Sequence, residues 1–376
     1  TEYTDHRHEK LLRHCTIMAE GCGGLADALD DREAAEDILR WINRNYDNEE
    51  TNRDYRSAIR VFGKRVKRAD ETPESLAWIP TGTSSSYNPT PSEHEMLEWE
   101  ADIRPMLDAC GNSRDRALIA VQFDGGFRGG ELYDMRVGDV FDSQYGMGIH
   151  VDGKEGARDV HLIPAAPYLR EWLADHPARE DREAPLWCKL NVAEGQSYNS
   201  FIDGFKDPAT RAEISKTATP TNFRKSNTKW LVELGLPQPR IEDRQGRARG
   251  SDHTARYMAR FGGESNEAAY AQLHGHEVEG ESGADPMKPI ECPRCDRETP
   301  VDRDFCMHCD FALSDAARTD VEALKDTLDE VAIQSDDPNT AQRAVRGRRA
   351  IERNPELVNE GEIHDLLTSL EDSIES

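Results

Sequence analysis

The chain is poor in lysine and in aromatic side chains, and it has no long apolar run. Of its 47 basic residues only 11 are lysine, and aromatic residues make up 7% of the 376 positions. Without a stretch of about 18 apolar residues, a membrane-crossing helix is excluded. The N-terminus opens on charged residues and lacks the apolar centre of a secretory signal, so a cytoplasmic protein is expected. No glycine-rich loop with a terminal Lys-Ser/Thr is present, nor a carboxylate cluster at metal-ligand spacing. Neither a nucleotide cofactor nor carboxylate-held metal is therefore expected in the chemistry.

What the chain has in excess is acid: 73 acidic against 47 basic residues, a net charge of −26. Taken alone, this opposes nucleic-acid binding. Abundant carboxylates with few lysines resemble proteins of salt-saturated, halophilic cytoplasms, where acidic side chains keep the surface hydrated. In that setting the local gathering of positive charge is more telling than the total. Between Arg53 and Arg68 seven cations face one acid, Asp54. Arg53, Arg56, Arg60, Lys64 and Lys67 or Arg68 recur at helical steps along one face, with Thr51 or Asn52 as the expected N-cap. This is either a solvated amphipathic helix or a phosphate-binding one. From Phe205 to Arg260 twelve cations face six acids, a second candidate for phosphate contact.

At this length several separately packed units are expected. Helical patterns fill the first 79 residues. Pro80 to Pro91 is a Pro/Gly/Ser/Thr stretch that reads as a linker, and Ser92 with Glu95 reads as a capping box opening the next domain. A helix is expected around Arg114–Phe123, and a hairpin over Ile149–Ile163 with its turn near Gly153–Gly156. Further helices are expected at Pro167–Leu173 and Asn222–Leu234. Gly280–Pro289 reads as a second linker. The last helices, from Asp315 on, carry sixteen acids against seven cations, which disfavours DNA contact and suggests protomer docking.

Cys292, Cys295, Cys306 and Cys309 form a CxxC-x10-CxxC pattern, two tight knuckles that suit tetrahedral Zn²⁺. So short a segment draws much of its stability from a metal. Its role could be purely structural, or it could bind DNA or protein. Cys15, Cys22, Cys110 and Cys188 show no comparable pattern and read as ordinary thiols.

Four separated pieces resemble the catalytic domain of tyrosine recombinases, the phage integrase family, over roughly Glu93–Gly275. Gly126-Phe127-Arg128-Gly129-Gly130-Glu131-Leu132 is similar to the box whose arginine grips the scissile phosphate. Gly153-Lys154-Glu155-Gly156-Ala157-Arg158 resembles the β-hairpin turn whose lysine protonates the leaving 5′ oxygen, with Arg158 as a backbone contact. Thr221-Asn222-Phe223-Arg224-Lys225-Ser226 resembles the box of the second arginine, in a form like that of halophilic archaeal integrases. Gly250 to Tyr257 is similar to the segment ending in the nucleophilic tyrosine.

The resemblance implies Tyr257, Arg128, Arg224, Lys154 and Arg247 as catalytic residues. It implies Arg53, Arg56, Arg60, Lys64, Lys67, Arg158 and Lys225 as DNA contacts. Thr221 stands where the family usually has His, and Arg247 where it has His or Trp; His253 lies nearby as a substitute. The chemistry implied is cleavage and rejoining of DNA through a 3′-phosphotyrosine, without catalytic cofactor, on double-stranded DNA by a dimer or tetramer. A non-catalytic DNA-binding protein of the same fold is the alternative. Type IB topoisomerases use related residues, and an interaction protein built around the zinc module is the remaining reading.

The expected fold is mainly α with a small antiparallel β-sheet (α+β). It comprises a helical core-binding domain (1–79), a linker (80–92), a catalytic domain (93–279), a structural zinc ribbon (280–315) and acidic C-terminal helices (316–376).

Overall fold

The computed structural model describes residues 4–84, 87, 92–154, 156–262, 270, 274, 287–301, 303–335 and 337–359. Most of the Pro80–Pro91 linker's second half, the end of the catalytic segment, most of the second linker and the helical signal at Ile363–Leu370 lie outside the described residues. The chain divides into two compact units, Thr1–Pro89 and Thr90–Ser376. Among the described residues no helix is long and apolar enough to cross a membrane.

The first unit is helical: α1 (Asp5–Gly21), α2 (Arg32–Asn45), α3 (Glu49–Val66) and the short α4 (Glu74–Ala77). Thr4, Asp31 and Asn48 each cap a helix start through a side-chain oxygen. Asn48, rather than Thr51 or Asn52, is thus the cap of the basic helix. Glu49 and Glu50 extend that helix towards its N-terminus, where acids suit the dipole. Asn52 turns instead to Asn43 and to the Tyr46 carbonyl. Leu11, Met18, Ile38, Ile42, Tyr55 and Ile59 form the core.

In the second unit α5 (Arg104–Asp108) leads to α6 (Ser113–Gly125), which is buried continuously from Ala117 to Gly125. Buried on every side over that stretch, α6 is the central rod. After α7 (Gly129–Tyr133) come β1 (Val140–Ser143), β2 (Gly146–Gly153) and β3 (Gly156–Leu162), an antiparallel sheet in that order. The expected hairpin is present, with Ile149 opposite Val160 and Gly153 opposite Gly156. Then follow α8 (Ala166–Asp175), the short β4 (Cys188–Lys189) and β5 (Val192–Gly195), and α9 (Tyr198–Arg211), which with α8 packs on α6. Next come α10 (Pro220–Glu233), also against α6, then α11 (Gln238–Gln245) and α12 (Asp252–Phe261). Ser92 makes no capping bond: it precedes a single 3-10 turn, because Met96 returns to extended backbone and is buried.

The cysteine module contributes β6 (Ile290–Glu291) and β7 (Glu298–Thr299), paired antiparallel. The helical hairpin α13 (Asp315–Gln334) and α14 (Pro338–Arg353) follows, closed over Val321, Leu324, Leu328, Ala344 and Ile351. The fold is mostly helical with small antiparallel sheets.

Candidate active site

α6 ends at Gly126, whose φ of 60° is left-handed. A Cβ there would lie 2.2 Å from Asn227 Oδ1, so both backbone and space demand glycine. The sharp turn delivers Arg128 to the N-cap of α7. Its Nη1 meets Glu131 Oε1 at 2.7 Å and its Nη2 donates to the Gly246 carbonyl. From β3, Arg158 reaches the other oxygen of Glu131 at 2.7 Å and donates through Nε to the Arg244 carbonyl. One carboxylate therefore joins two guanidiniums. Burial would raise the pKa of Glu131, but donors on Arg158 and Arg128 hold it below the ordinary carboxylate value.

Arg224 projects from α10 and donates to the Gly126 carbonyl at 2.8 Å and the Gln245 carbonyl at 2.7 Å. α11 ends at Gly246, again left-handed at φ 58°, where a Cβ would lie 2.6 Å from Arg158 Nη1. Arg247 follows at once, donating to Gln245 Oε1 at 2.7 Å and Thr228 Oγ1 at 3.2 Å. Arg128, Arg158, Arg224 and Arg247 thus converge from two helix ends, the second turn of α10 and a strand. Glu131 is the only carboxylate hydrogen-bonded to them among the described residues. Burial, then the charges of Arg247 and Arg128, push Arg224 down to about 9. Burial and Arg128 likewise lower Arg247. A buried gathering of like charge is costly unless an anion completes it.

Tyr257 lies on α12 and is 0% exposed, enclosed by Met96, Leu231, Val232 and Ile241. His253 stacks on its ring, 5.3 Å between centroids and 13° between planes. The hydroxyl is buried and has no hydrogen-bond partner among the described residues. Burial raises its pKa above the ordinary phenol value and Arg247 opposes that rise, so the phenol and the cation cluster feel one another. Burial, with Arg247, Lys225 and Arg256, pushes His253 down to about 4.

Other expected residues sit differently. Lys154 is exposed at the hairpin turn and has no hydrogen bond or ion pair with a described residue. Thr221 is exposed on the first turn of α10 and takes no part in the cluster. Arg158, expected to touch DNA, is 11% exposed and pairs with Glu131. In the first unit Arg56 and Arg60 hold the carbonyls of Gly82 and Ile79, Lys67 pairs with Asp30, and Arg53 lies 3.6 Å from Asp54. Lys64 is half-buried. Gln245, Asn227 and Thr228, which brace the cluster, carried no signal in the sequence. Glu131 was visible as part of the box around Arg128, but its tie to Arg158 was not.

The four cysteines bring their sulfurs within 4.8 Å of one another. Cys292 to Cys309 is 3.7 Å and Cys295 to Cys306 3.6 Å. Tetrahedral thiolates about 2.3 Å from a zinc ion would lie about 3.8 Å apart. In each knuckle the aspartate after the second cysteine, Asp296 or Asp310, is left-handed at φ 56°. Its N–H returns to the carbonyl of the first cysteine at 2.9 Å. N–H groups of Arg294 and His308 and the Thr299 hydroxyl point at sulfur. The donor set fits a metal such as zinc.

Residues 99–262, a stretch that runs from before Arg128 to beyond Tyr257, match the model of the phage integrase family. Among solved structures, the Tn1549 transposon integrase in complex with transposon right end DNA superposes with a TM-score of 0.52 at 14% identity. The match covers 73% of this chain and 94% of that one. The XerH site-specific recombinase bound to palindromic difH substrate gives 0.49 at 15% identity over 65% of this chain and 73% of that one. A lambda integrase dimer bound to a COC′ core site gives 0.49 at 15% identity, over 70% and 92%. No curated protein matches the sequence.

Proposed function

We propose that this chain is a site-specific DNA recombinase that cleaves and rejoins strands through a covalent tyrosine intermediate. The observation that carries the reading is the four-guanidinium cluster facing a single bonded carboxylate, with a tyrosine in electrostatic reach. A phosphodiester is the anion such a site suits. Its pentavalent transition state gathers charge on the non-bridging oxygens, and forked guanidinium donors stabilise it bidentately.

In the step proposed, the Tyr257 hydroxyl gives up its proton to water as its oxygen bonds to phosphorus and the bond to the 5′ oxygen breaks, leaving a 3′-phosphotyrosine. Lys154, on its exposed turn, supplies the proton that the departing 5′ oxygen takes up. A 5′-hydroxyl from a partner strand then reverses the step. Arg128, Arg224 and Arg247 bind the phosphate, while Glu131 and Arg158 hold Arg128 in place. The partners are double-stranded DNA and further copies of the chain. At the cysteines, Cys292, Cys295, Cys306 and Cys309 would hold a Zn²⁺ ion whose contribution is to fold the module, apart from the reaction.

A second reading, a DNA-binding protein without turnover, is favoured by the sealed Tyr257 hydroxyl and by Thr221 at the usual histidine position. One experiment separates them. Nicked duplexes of randomised sequence are incubated with the protein in molar KCl, as the lysine-poor acidic surface suggests, and scored for a denaturation-resistant adduct. Wild type should form it, Tyr257→Phe should not, and Arg224→Ala should slow it by about 100- to 1000-fold. Binding without any wild-type adduct overturns the enzyme reading.

A further inference from the structure

The acidic C-terminal region is not uniform. α13 carries six acids against Arg318 and Lys325, whereas α14 carries five arginines against Glu352 alone. Averaging over the region hides this contrast. On α14, Thr340, Ala344, Gly347 and Ile351 are buried towards α13. Arg348 borders that face, with Nε 2.7 Å from Asp329 and a further bond to Glu352. Arg346, Arg349 and Arg353 are exposed, and no described residue pairs with any of the three. At 100° per residue they lie within an arc of about 60°, and at 1.5 Å per residue they span about 10 Å of helix axis.

Favourable placement near a helix C-terminus accounts for cations in the last turn. It does not account for three neighbouring guanidiniums that have no acid partner among the described residues. Duplex DNA presents about one phosphate per 3.4 Å on each strand, so 10 Å of axis matches about three phosphates.

We propose that Arg346, Arg349 and Arg353 form a docking stripe for the phosphate backbone of duplex DNA, outside the integrase-family segment. The stripe supplies affinity and placement, carries no sequence readout, and rests on the recombinase reading above.

Its test uses the full chain and a fluorescent random-sequence duplex, with affinity measured across a range of KCl. The variant Arg346→Gln/Arg349→Gln/Arg353→Gln should lower the slope of log K against log salt by about 2.7, three contacts at about 0.9 each. Lysine at the same three positions should keep the slope, as should Arg318→Gln on α13. An unchanged slope in the glutamine variant, with helicity intact by circular dichroism, overturns the stripe while wild-type adduct formation leaves the recombinase reading standing. So does loss of self-association with unchanged DNA affinity, which would assign the stripe to a second copy. Wild type failing to bind duplex at all would sink both.

Discussion

A buried phenol whose hydroxyl finds no partner lowers the stability of the protein that carries it. Tyr257 is such a residue: 0% exposed, packed among apolar side chains, its oxygen unbonded among the described residues. Burying a hydroxyl uncompensated costs about 1–3 kcal/mol in proteins. Removing that oxygen alone should therefore stabilise the fold, since phenylalanine keeps the ring against His253 and Phe261. Tyr257→Phe is expected to raise the unfolding free energy by about 1 kcal/mol, read from the urea midpoint, while abolishing the covalent adduct. A tyrosine retained for packing alone would show neither the adduct nor its loss. Should the phenylalanine variant instead be less stable, the hydroxyl has a partner in the free protein and the sealed-nucleophile description is wrong.

Between elements, the decisive joint is Glu131. It ties Arg128 at the start of α7 to Arg158 on β3, and its own side chain is 7% exposed. Removing one member of a buried ion network strands the others, at a cost of about 3–5 kcal/mol. Glu131→Gln should accordingly destabilise the protein by that order in chemical denaturation and slow adduct formation. Loss of stability below about 1 kcal/mol would show that the two arginines do not depend on it. The hairpin and α10 were legible because apolar spacing and turn glycines announce them, and Arg128, Arg224 and Tyr257 because they sit in local boxes. β1 escaped because four residues carry too little pattern. The braces at Gln245, Asn227 and Thr228 escaped because their partners are distant in sequence: Asn227 Nδ2 bonds the Phe123 and Asp124 carbonyls, more than a hundred positions away. Basic residues were legible as charge but not as partners, and the backbone carbonyls that Arg56 and Arg60 hold gave no sign in the sequence.

Across the second unit, the cysteine module acts as a brace rather than a free knob. On one side Met287 and Met307 pack against the main core, Arg303 reaches Asp108 at 3.2 Å, and Glu298 pairs with Arg170. On the other, Phe305 and Ala312 belong to the apolar cluster that closes α13 on α14. With two-residue strands and few apolar side chains of its own, the module is expected to depend on a metal held by its four cysteines, since such binding in comparable small sites is worth about 10–16 kcal/mol of folding. Stripping the metal with a strong chelator under reducing conditions should open the chain to protease between the module and α13. The core around α6, which has its own continuous burial, should melt only a few degrees lower. Cys295→Ser should reproduce the cleavage without chelator. The measurement is limited proteolysis with mass spectrometry, alongside metal content; an unchanged fragment pattern in metal-free protein would show that the module holds its place by packing alone. If the brace fails as expected, the arginine stripe on α14 loses its anchorage too, and chelation should lower the salt slope of DNA binding as the triple glutamine variant does.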